Sequence, residues 1–278
     1  MHIHKIAFIG AGSIAEAVIA GLVQTNFVKG EQITVSNRSN TERLLYLQNT
    51  YGIIGTHNKK ELLQDADIIF FAMKPKDVVS AVMPVKDYIK KEQLIISLLA
   101  GISTAALANL LKQSNPIIRA MPNTSAAILK SATAISPSIH ATEQHIAFAK
   151  ELFETIGVVS IVEEEQMHAV TALSGSGPAY IYYVVEAFEQ AAREIGLTED
   201  ISKPLILQTM IGAAEMLKAT PKHPSVLRKE ITSPGGTTEA GIEVLKSHAF
   251  QTALVECIVR ATKRSEELGA SLMNTIEQ

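Results

Sequence analysis

The sequence has one cysteine and no tryptophan, and aromatic residues make up only 5% of its 278 positions. A lone Cys257 forms no intrachain disulfide, so packing must hold the fold, which suits a reducing compartment. Its apolar surroundings, Ala253-Leu254-Val255 before and Ile258-Val259 after, predict a buried small hydrophobe rather than a nucleophile. Charge of one sign is not in excess. The 25 Lys and Arg stand against 28 Asp and Glu, a net charge of −3, which gives no reason to expect nucleic acid or a membrane surface as partner. No apolar run approaches the roughly 20 residues that cross a bilayer. The opening Met1-His2-Ile3-His4-Lys5 leads into a strand-like segment without a signal-peptide pattern, so the expected location is cytoplasmic. The eight histidines show no metal-ligand spacing, and no metal site is expected.

What is present is a change of grammar along the chain. Up to about residue 162, short β-branched runs alternate with helix-length amphipathic stretches: residues 5–9, 33–36, 67–71, 94–97, 117–119, 131–135 and 158–161. Their spacing argues for βαβ units and a mainly parallel sheet, and their uniformly apolar character fits strands covered on both faces. After Glu163-Glu164-Glu165, read as a solvated helix start, only helical stretches follow: 179–195, 201–218, 238–247 and 250–268, punctuated by Gly196, Pro221, Pro224 and Pro234-Gly235-Gly236. The expected class is α/β followed by all-α, with domains 1–162 and 163–278. The helices 180–185 and 201–216 carry more apolar surface than a hairpin of this size hides, which fits either an interface or core packing within one chain.

Ile6-Ala7-Phe8-Ile9-Gly10-Ala11-Gly12-Ser13-Ile14-Ala15 reads as a strand, then G-x-G-x-x-A, then a helix. In a dinucleotide-binding turn Gly10 gives the tight bend, Gly12 lets the backbone approach a pyrophosphate, and Ala15 lets helix and strand pack closely. The free amides of Ser13 and Ile14 would meet the phosphates; a merely tight turn is the alternative. At the end of the second strand, where an NAD-binding unit places Asp or Glu, this chain has Ser36-Asn37-Arg38-Ser39. Without a carboxylate to repel it, a 2′-phosphate can be held by Arg38 with Asn37 and Ser39, which predicts NADPH ahead of NADH. A polar loop with a solvated arginine is the other reading. Farther on, the two glycines of Ser233-Pro234-Gly235-Gly236-Thr237-Thr238 precede a helical stretch, so the segment is either a small anion cradle of backbone amides or an ordinary helix cap.

These features join an ordered set: Ala72-Met73-Lys74-Pro75, Ser97-Leu98-Leu99-Ala100-Gly101, Arg119-Ala120-Met121-Pro122-Asn123-Thr124, Leu173-Ser174-Gly175-Ser176-Gly177-Pro178, and Thr232 to Thr238. Across essentially the whole chain the set resembles the pyrroline-5-carboxylate reductase family. The resemblance implies a Rossmann-type dinucleotide-binding domain followed by an all-α dimerisation domain. It also implies reduction of the cyclic imine 1-pyrroline-5-carboxylate to L-proline with hydride from NADPH or NADH, the last step of proline biosynthesis. By the same resemblance Met73, Lys74, Pro75, Ala100 and Asn123 line the nicotinamide end, Ser233, Gly236 and Thr237 hold the substrate carboxylate, and Thr238 faces the ring nitrogen. It implies a homodimer or higher homo-oligomer, in which the substrate loop of one subunit completes the site on the other's nucleotide domain.

Two residues depart from the family's habit. Ser125 stands where Pro often follows Met-Pro-Asn-Thr, and Glu239 follows Thr238 where an apolar residue is common. Glu239 would weaken anion binding if it pointed inward. Two other readings keep the cofactor: a related imine or hydroxyacid dehydrogenase, or a non-catalytic NADP sensor. Hydroxyacid enzymes place a lysine on the long inter-domain helix, and residues 179–190 contain none.

Overall fold

The computed structural model describes residues 3–277. Eight strands, β1 (Ile6–Ile9), β2 (Ile33–Ser36), β3 (Ile54–Gly55), β4 (Ile68–Phe71), β5 (Leu94–Ser97), β6 (Ile117–Met121), β7 (Ser131–Pro137) and β8 (Gly157–Ile161), form one sheet. Their order is β3-β2-β1-β4-β5-β6-β7-β8. Every pair is parallel except β6 with β7. Helices α1 (Ser13–Gln24), α2 (Thr41–Tyr51), α3 (Lys59–Leu63), α4 (Val78–Val82), α5 (Thr104–Leu111) and α6 (Glu143–Glu154) accompany the strands. The all-apolar runs become strands because both of their faces are covered: β1, β4 and β5 are buried at every position. One face packs Phe8, Phe70 and Phe153 with Val18 and Leu22 of α1, and Phe8 and Phe70 stack at 4.2 Å. The other packs Ile69, Phe71, Ile95 and Ile117 with Leu107 of α5. Fully burying each such side chain stabilises the fold by about 1.5–3 kcal/mol.

The expected strands all form, with ends shifted by a residue or two. The addition is β3, two residues long, which carries too little pattern to be read as a strand. It extends the sheet by pairing with β2 through Thr34 and Val35.

Beyond the sheet come α7 (Met167–Val170), α8 (Gly177–Glu194), α9 (Glu199–Ala219), α10 (Pro224–Glu230), α11 (Thr237–Ser247) and α12 (Phe250–Glu277). The expected division at residue 162 follows the last strand. By compactness, residues 163–178 and 259–277 belong with the sheet, and Ala179–Ile258 forms a second unit made of helices. None of the described helices is long and apolar enough to cross a membrane.

The second unit leaves much apolar surface open in the single chain: Tyr182, Tyr183, Leu205 and Met216 are all more than half exposed. Cys257 is exposed as well, which corrects the expectation of burial. Its helix has the expected apolar residues, but Leu254 and Val255 beside it are also exposed, so among the described residues that side is left open.

Candidate active site

The sheet order reverses between β1 and β4, and the ends of these two strands frame the first half of the site. Crevices at such a switch point are where open parallel sheets take ligands. Gly10 ends β1 with φ +118°, and a Cβ there would fall 2.4 Å from the Ala72 carbonyl carbon and oxygen. Only glycine fits that position. Gly12 caps α1 with extended backbone and no side-chain acceptor, and a Cβ on it would meet nothing within 4 Å. The first-turn amides of α1, at Ser13 and Ile14, receive no cap from a Gly12 side chain and stand at the positive end of a 12-residue helix. Ala15 is fully buried, as close packing of helix and strand requires. The turn fits a dinucleotide pyrophosphate in shape and in polarity.

A cleft of about 630 Å³ adjoins the turn and brings Gly10, Asn37, Arg38, Ser39 and Met73 together. Arg38 is exposed, and among the described residues its guanidinium makes no hydrogen bond or ion pair, so the fork is available to an anion. The Asn37 side chain is committed to its own loop: Nδ2 donates to the Asn40 carbonyl at 2.7 Å and Oδ1 accepts from the Asn40 amide at 2.9 Å. It shapes the loop that lines the cleft.

Three cleft residues carry no signal of their own in the sequence. Thr41, His57 and Lys59 line the same cleft as Arg38. His57 lies 3.3 Å from the Asn37 carbonyl and 3.4 Å from the Thr41 hydroxyl through its two ring nitrogens. The short strand β3 delivers His57 and Lys59, and its weak pattern hides them. Arg43 is a further residue that sequence reasoning misses. Its Nε donates to the Ala11 carbonyl at 2.8 Å and its Nη2 pairs with Glu16 at 2.5 Å, fastening α2 to the glycine turn. Desolvation opposes ionisation of Glu16, but the hydrogen bond and charge of Arg43 outweigh it and hold the carboxyl below its usual range. Burial, followed by the Glu16 charge, pushes the neighbouring Tyr51 hydroxyl up to about 12.

The loops expected at the nicotinamide end all leave the carboxyl edge of the sheet. Met73, Lys74 and Pro75 follow β4, with Lys74 exposed at the start of a short turn. Ala100 follows β5, and Asn123 follows β6. Of these only Met73 lines the cleft. Asn123 is nearly buried. Its Nδ2 donates to the Ser174 carbonyl at 3.0 Å, and its Oδ1 accepts from the Ser125 amide at 3.1 Å. Ser125, the departure from proline, thus supplies a backbone donor that proline lacks.

The acidic run after β8 is not simply a solvated helix start, which corrects that expectation. Glu164 forms an ion pair with Arg119, whose side chain is 3% exposed. Nearby His168 lies within hydrogen-bond distance of Ser265 (Nδ1 to Oγ, 2.9 Å), and burial, then the charge of Arg119, lowers its pKa against the opposing pull of Glu266 and Glu164.

In the second unit, Ser233 to Thr238 lead into α11. Gly235 has φ +72°, Gly236 is the cap, and the Gly236 amide donates to the Ser233 carbonyl at 3.0 Å. Ser233 and Thr237 are exposed, and Thr238 is half-buried. Glu239 folds back so that its carboxylate accepts the Gly235 amide at 2.7 Å. One amide of the loop is thereby occupied from within, and no side chain caps α11 at Gly236. No group of three or more His, Cys, Asp or Glu suited to a metal occurs among the described residues.

Comparison with known proteins brings these features together. A family model described as pyrroline-5-carboxylate reductase dimerisation matches residues 164–268, and one described as NADP oxidoreductase, coenzyme F420-dependent, matches residues 5–101. The chain is 49% identical over 264 residues to pyrroline-5-carboxylate reductase 2 of Bacillus subtilis, covering 95% of each chain. A solved pyrroline-5-carboxylate reductase from Coxiella burnetii superposes with a TM-score of 0.88 at 33% identity, covering 96% of this chain and 99% of that one. The Plasmodium falciparum pyrroline carboxylate reductase, solved with NADP bound, gives a TM-score of 0.88 at 27% identity, covering 96% and 100%.

Proposed function

The chain belongs to the pyrroline-5-carboxylate reductase family, and from that premise we propose how its own residues carry out the family's reaction. It is an NADP-dependent oxidoreductase acting on a C=N bond, and it reduces 1-pyrroline-5-carboxylate to L-proline. The observation that supports the cofactor half most directly is the turn at the switch point. Gly10 is excluded from bearing a side chain by Ala72, and Gly12 faces open space at the start of α1.

In this reading the backbone of Gly10, Gly12, Ser13 and Ile14 holds the pyrophosphate, and Asn37, Arg38 and Ser39 receive the 2′-phosphate. Met73, Lys74, Pro75, Ala100 and Asn123 shape the nicotinamide end. The bound nicotinamide supplies the hydride. The protein's task is then alignment and exclusion of water, because an iminium carbon accepts hydride without a strong acid or base at hand. Ser233, Gly236 and Thr237 hold the substrate carboxylate through a hydroxyl and backbone amides. The Thr238 hydroxyl holds the ring nitrogen and its proton.

A homo-oligomer follows from the dimerisation region at residues 164–268. We place the contact of a homodimer, or of a larger assembly of dimers, on the open apolar residues Tyr182, Tyr183, Leu205 and Met216. The division into a nucleotide-binding region 1–162 and a dimerisation and substrate region 163–278 is the functional counterpart of the change from sheet to helices. A single unpaired cysteine and the use of a reduced cofactor suit the cytoplasm.

The test is loss of nicotinamide absorbance when purified protein receives pyrroline-5-carboxylate, with NADPH and NADH run in parallel and proline identified as product. Rapid oxidation yielding proline is the expected result, faster with NADPH. Tight NADPH binding without oxidation would move the assignment to a cofactor sensor.

A further inference from the structure

Arg119 is the one charged residue in the fully buried set among the described residues, at 2% exposure, and hydride transfer to the imine makes no use of it. It stands on β6 in register with Ser97 of β5 and Ser136 of β7, so these three buried side chains share one face at the carboxyl edge of the sheet. Its Nη1 lies 2.5 Å from Glu164 Oε1, while Arg119 Nη2, Glu164 Oε2 and Ser136 Oγ have no hydrogen-bond partner among the described residues. A guanidinium taken this far from water with one of its nitrogens unpartnered is an expensive way to join two elements.

The place where the pair sits suggests what it does. Glu164 opens a continuous run of turns, a tight turn at 164–166, then α7, then a wide turn at Thr171–Gly175 in which the Ser176 amide reaches back to the Thr171 carbonyl at 2.9 Å. Such a wide turn takes in one extra residue and re-aims the chain beyond it, and it is often found at functional sites. The far end of this run is bound by the same strand and its loop: Asn123, four residues after Arg119, donates to Ser174. Thus β6 and its loop grip the run at its first residue and again ten residues later. With Glu164 pinned, the wide turn decides where the Ser174 carbonyl falls, and that carbonyl orients the Asn123 amide.

We propose that Arg119 and Glu164 are positioning residues for the nicotinamide end of the cofactor site, setting the register of residues 164–175 against β6 and through Ser174 the orientation of Asn123. The proposal rests on the assignment of Asn123 to that end of the site. Neither Arg119 nor Glu164 touches cofactor or substrate. Their effect passes through one side chain, and it is confined to the part of the cofactor that Asn123 meets.

The experiment uses the full-length protein and two ligands, NADPH and 2′-phospho-ADP-ribose, which lacks only the nicotinamide. Dissociation constants are measured for the parent, for Glu164→Gln and for Asn123→Ala. In both variants NADPH is expected to bind roughly tenfold more weakly, because a small misplacement of an orienting group is enough for a loss of that size. The fragment should bind as it does to the parent. Equal weakening of both ligands in Glu164→Gln, or no weakening of either, overturns the proposal and leaves the pair a structural staple. Weakened NADPH binding in Asn123→Ala beside an unchanged Glu164→Gln overturns the proposal alone. Unchanged NADPH binding in Asn123→Ala removes Asn123 from the site, and the proposal falls with that assignment. Should Glu164→Gln not fold, Arg119→Lys keeps the buried charges paired while losing the planar fork, and the same ligand ratio decides.

Discussion

The amide of Gly10 donates to the carbonyl of Ser36 at 2.8 Å. Gly10 begins the glycine turn after β1, and Ser36 is the last residue of β2, so the turn proposed to meet the pyrophosphate and the loop proposed to meet the 2′-phosphate are fastened at their roots. In that reading the two halves of cofactor recognition share one strand edge, and substitutions there separate folding from binding.

Gly10→Ala and Gly12→Ala should behave oppositely. At Gly10 the new methyl meets the backbone of Ala72 at 2.4 Å with φ +118°, and a loss of about 3 kcal/mol or more in stability is expected. At Gly12 nothing lies within 4 Å and the backbone is extended, so Tm should stay near the parent's while NADPH binds roughly tenfold more weakly. Thermal melts with and without NADPH check both; parent-like NADPH affinity in Gly12→Ala would remove Gly12 from the phosphate cradle.

Arg38→Ala should raise the Michaelis constant for NADPH roughly tenfold and spare NADH, the loss expected for a charge-assisted hydrogen bond to a phosphate. Lys59→Ala, in the same cleft, should act in the same direction but less, as a point charge without the fork. An unchanged NADPH to NADH ratio in Arg38→Ala would place the 2′-phosphate elsewhere.

Thr238→Ala should slow turnover roughly tenfold while NADPH affinity holds, because the role proposed for its hydroxyl is toward the substrate and not the cofactor. Steady-state rates beside direct cofactor titration make the comparison. Equal loss in both would contradict its place beside the ring nitrogen.

Glu239 is turned back onto the Gly235 amide, where it stabilises the start of α11 and also brings a negative charge close to a proposed carboxylate site. Glu239→Gln keeps an acceptor for that amide and removes the charge. The Michaelis constant for the substrate should fall about twofold to threefold, and stability should drop by about 0.5 kcal/mol as the helix end loses its anion. A rise in the Michaelis constant would mean that the charged carboxylate itself orders the loop for binding.

His168 gives stability a dependence on pH in mild acid. Burial and then Arg119 hold its folded pKa below the usual 6.5. Between the two values the unfolded chain binds the extra proton, so stability rises with pH across that window. The contribution is complete above about pH 6.5 and is lost as the pH falls through the folded value. Replacing His168 with Asn should flatten the dependence of Tm on pH just below 6.5, and an unaltered slope would assign it to another group.

The sequence by itself determined the elements whose cause is local. Runs such as Ile6–Ile9 and Ile68–Phe71 are strands because apolar β-branched and aromatic residues without alternation need cover on both faces. Gly10 is legible because its turn demands a backbone that other residues adopt only with strain. The loop Asn37–Ser39 is equally readable, since the missing carboxylate is a local fact. Tertiary structure alone decided what depends on pairing across the chain. The strand Ile54–Gly55 exists because β2 offers it an edge, and it carries His57 and Lys59 into the cleft. Arg119 and Glu164 are 45 residues apart and meet only after β6 and the run behind β8 are placed. Cys257 has apolar sequence neighbours on a helix side that the described residues leave exposed. Periodicity fixes which face of an element is apolar, but topology settles what that face and its charges meet.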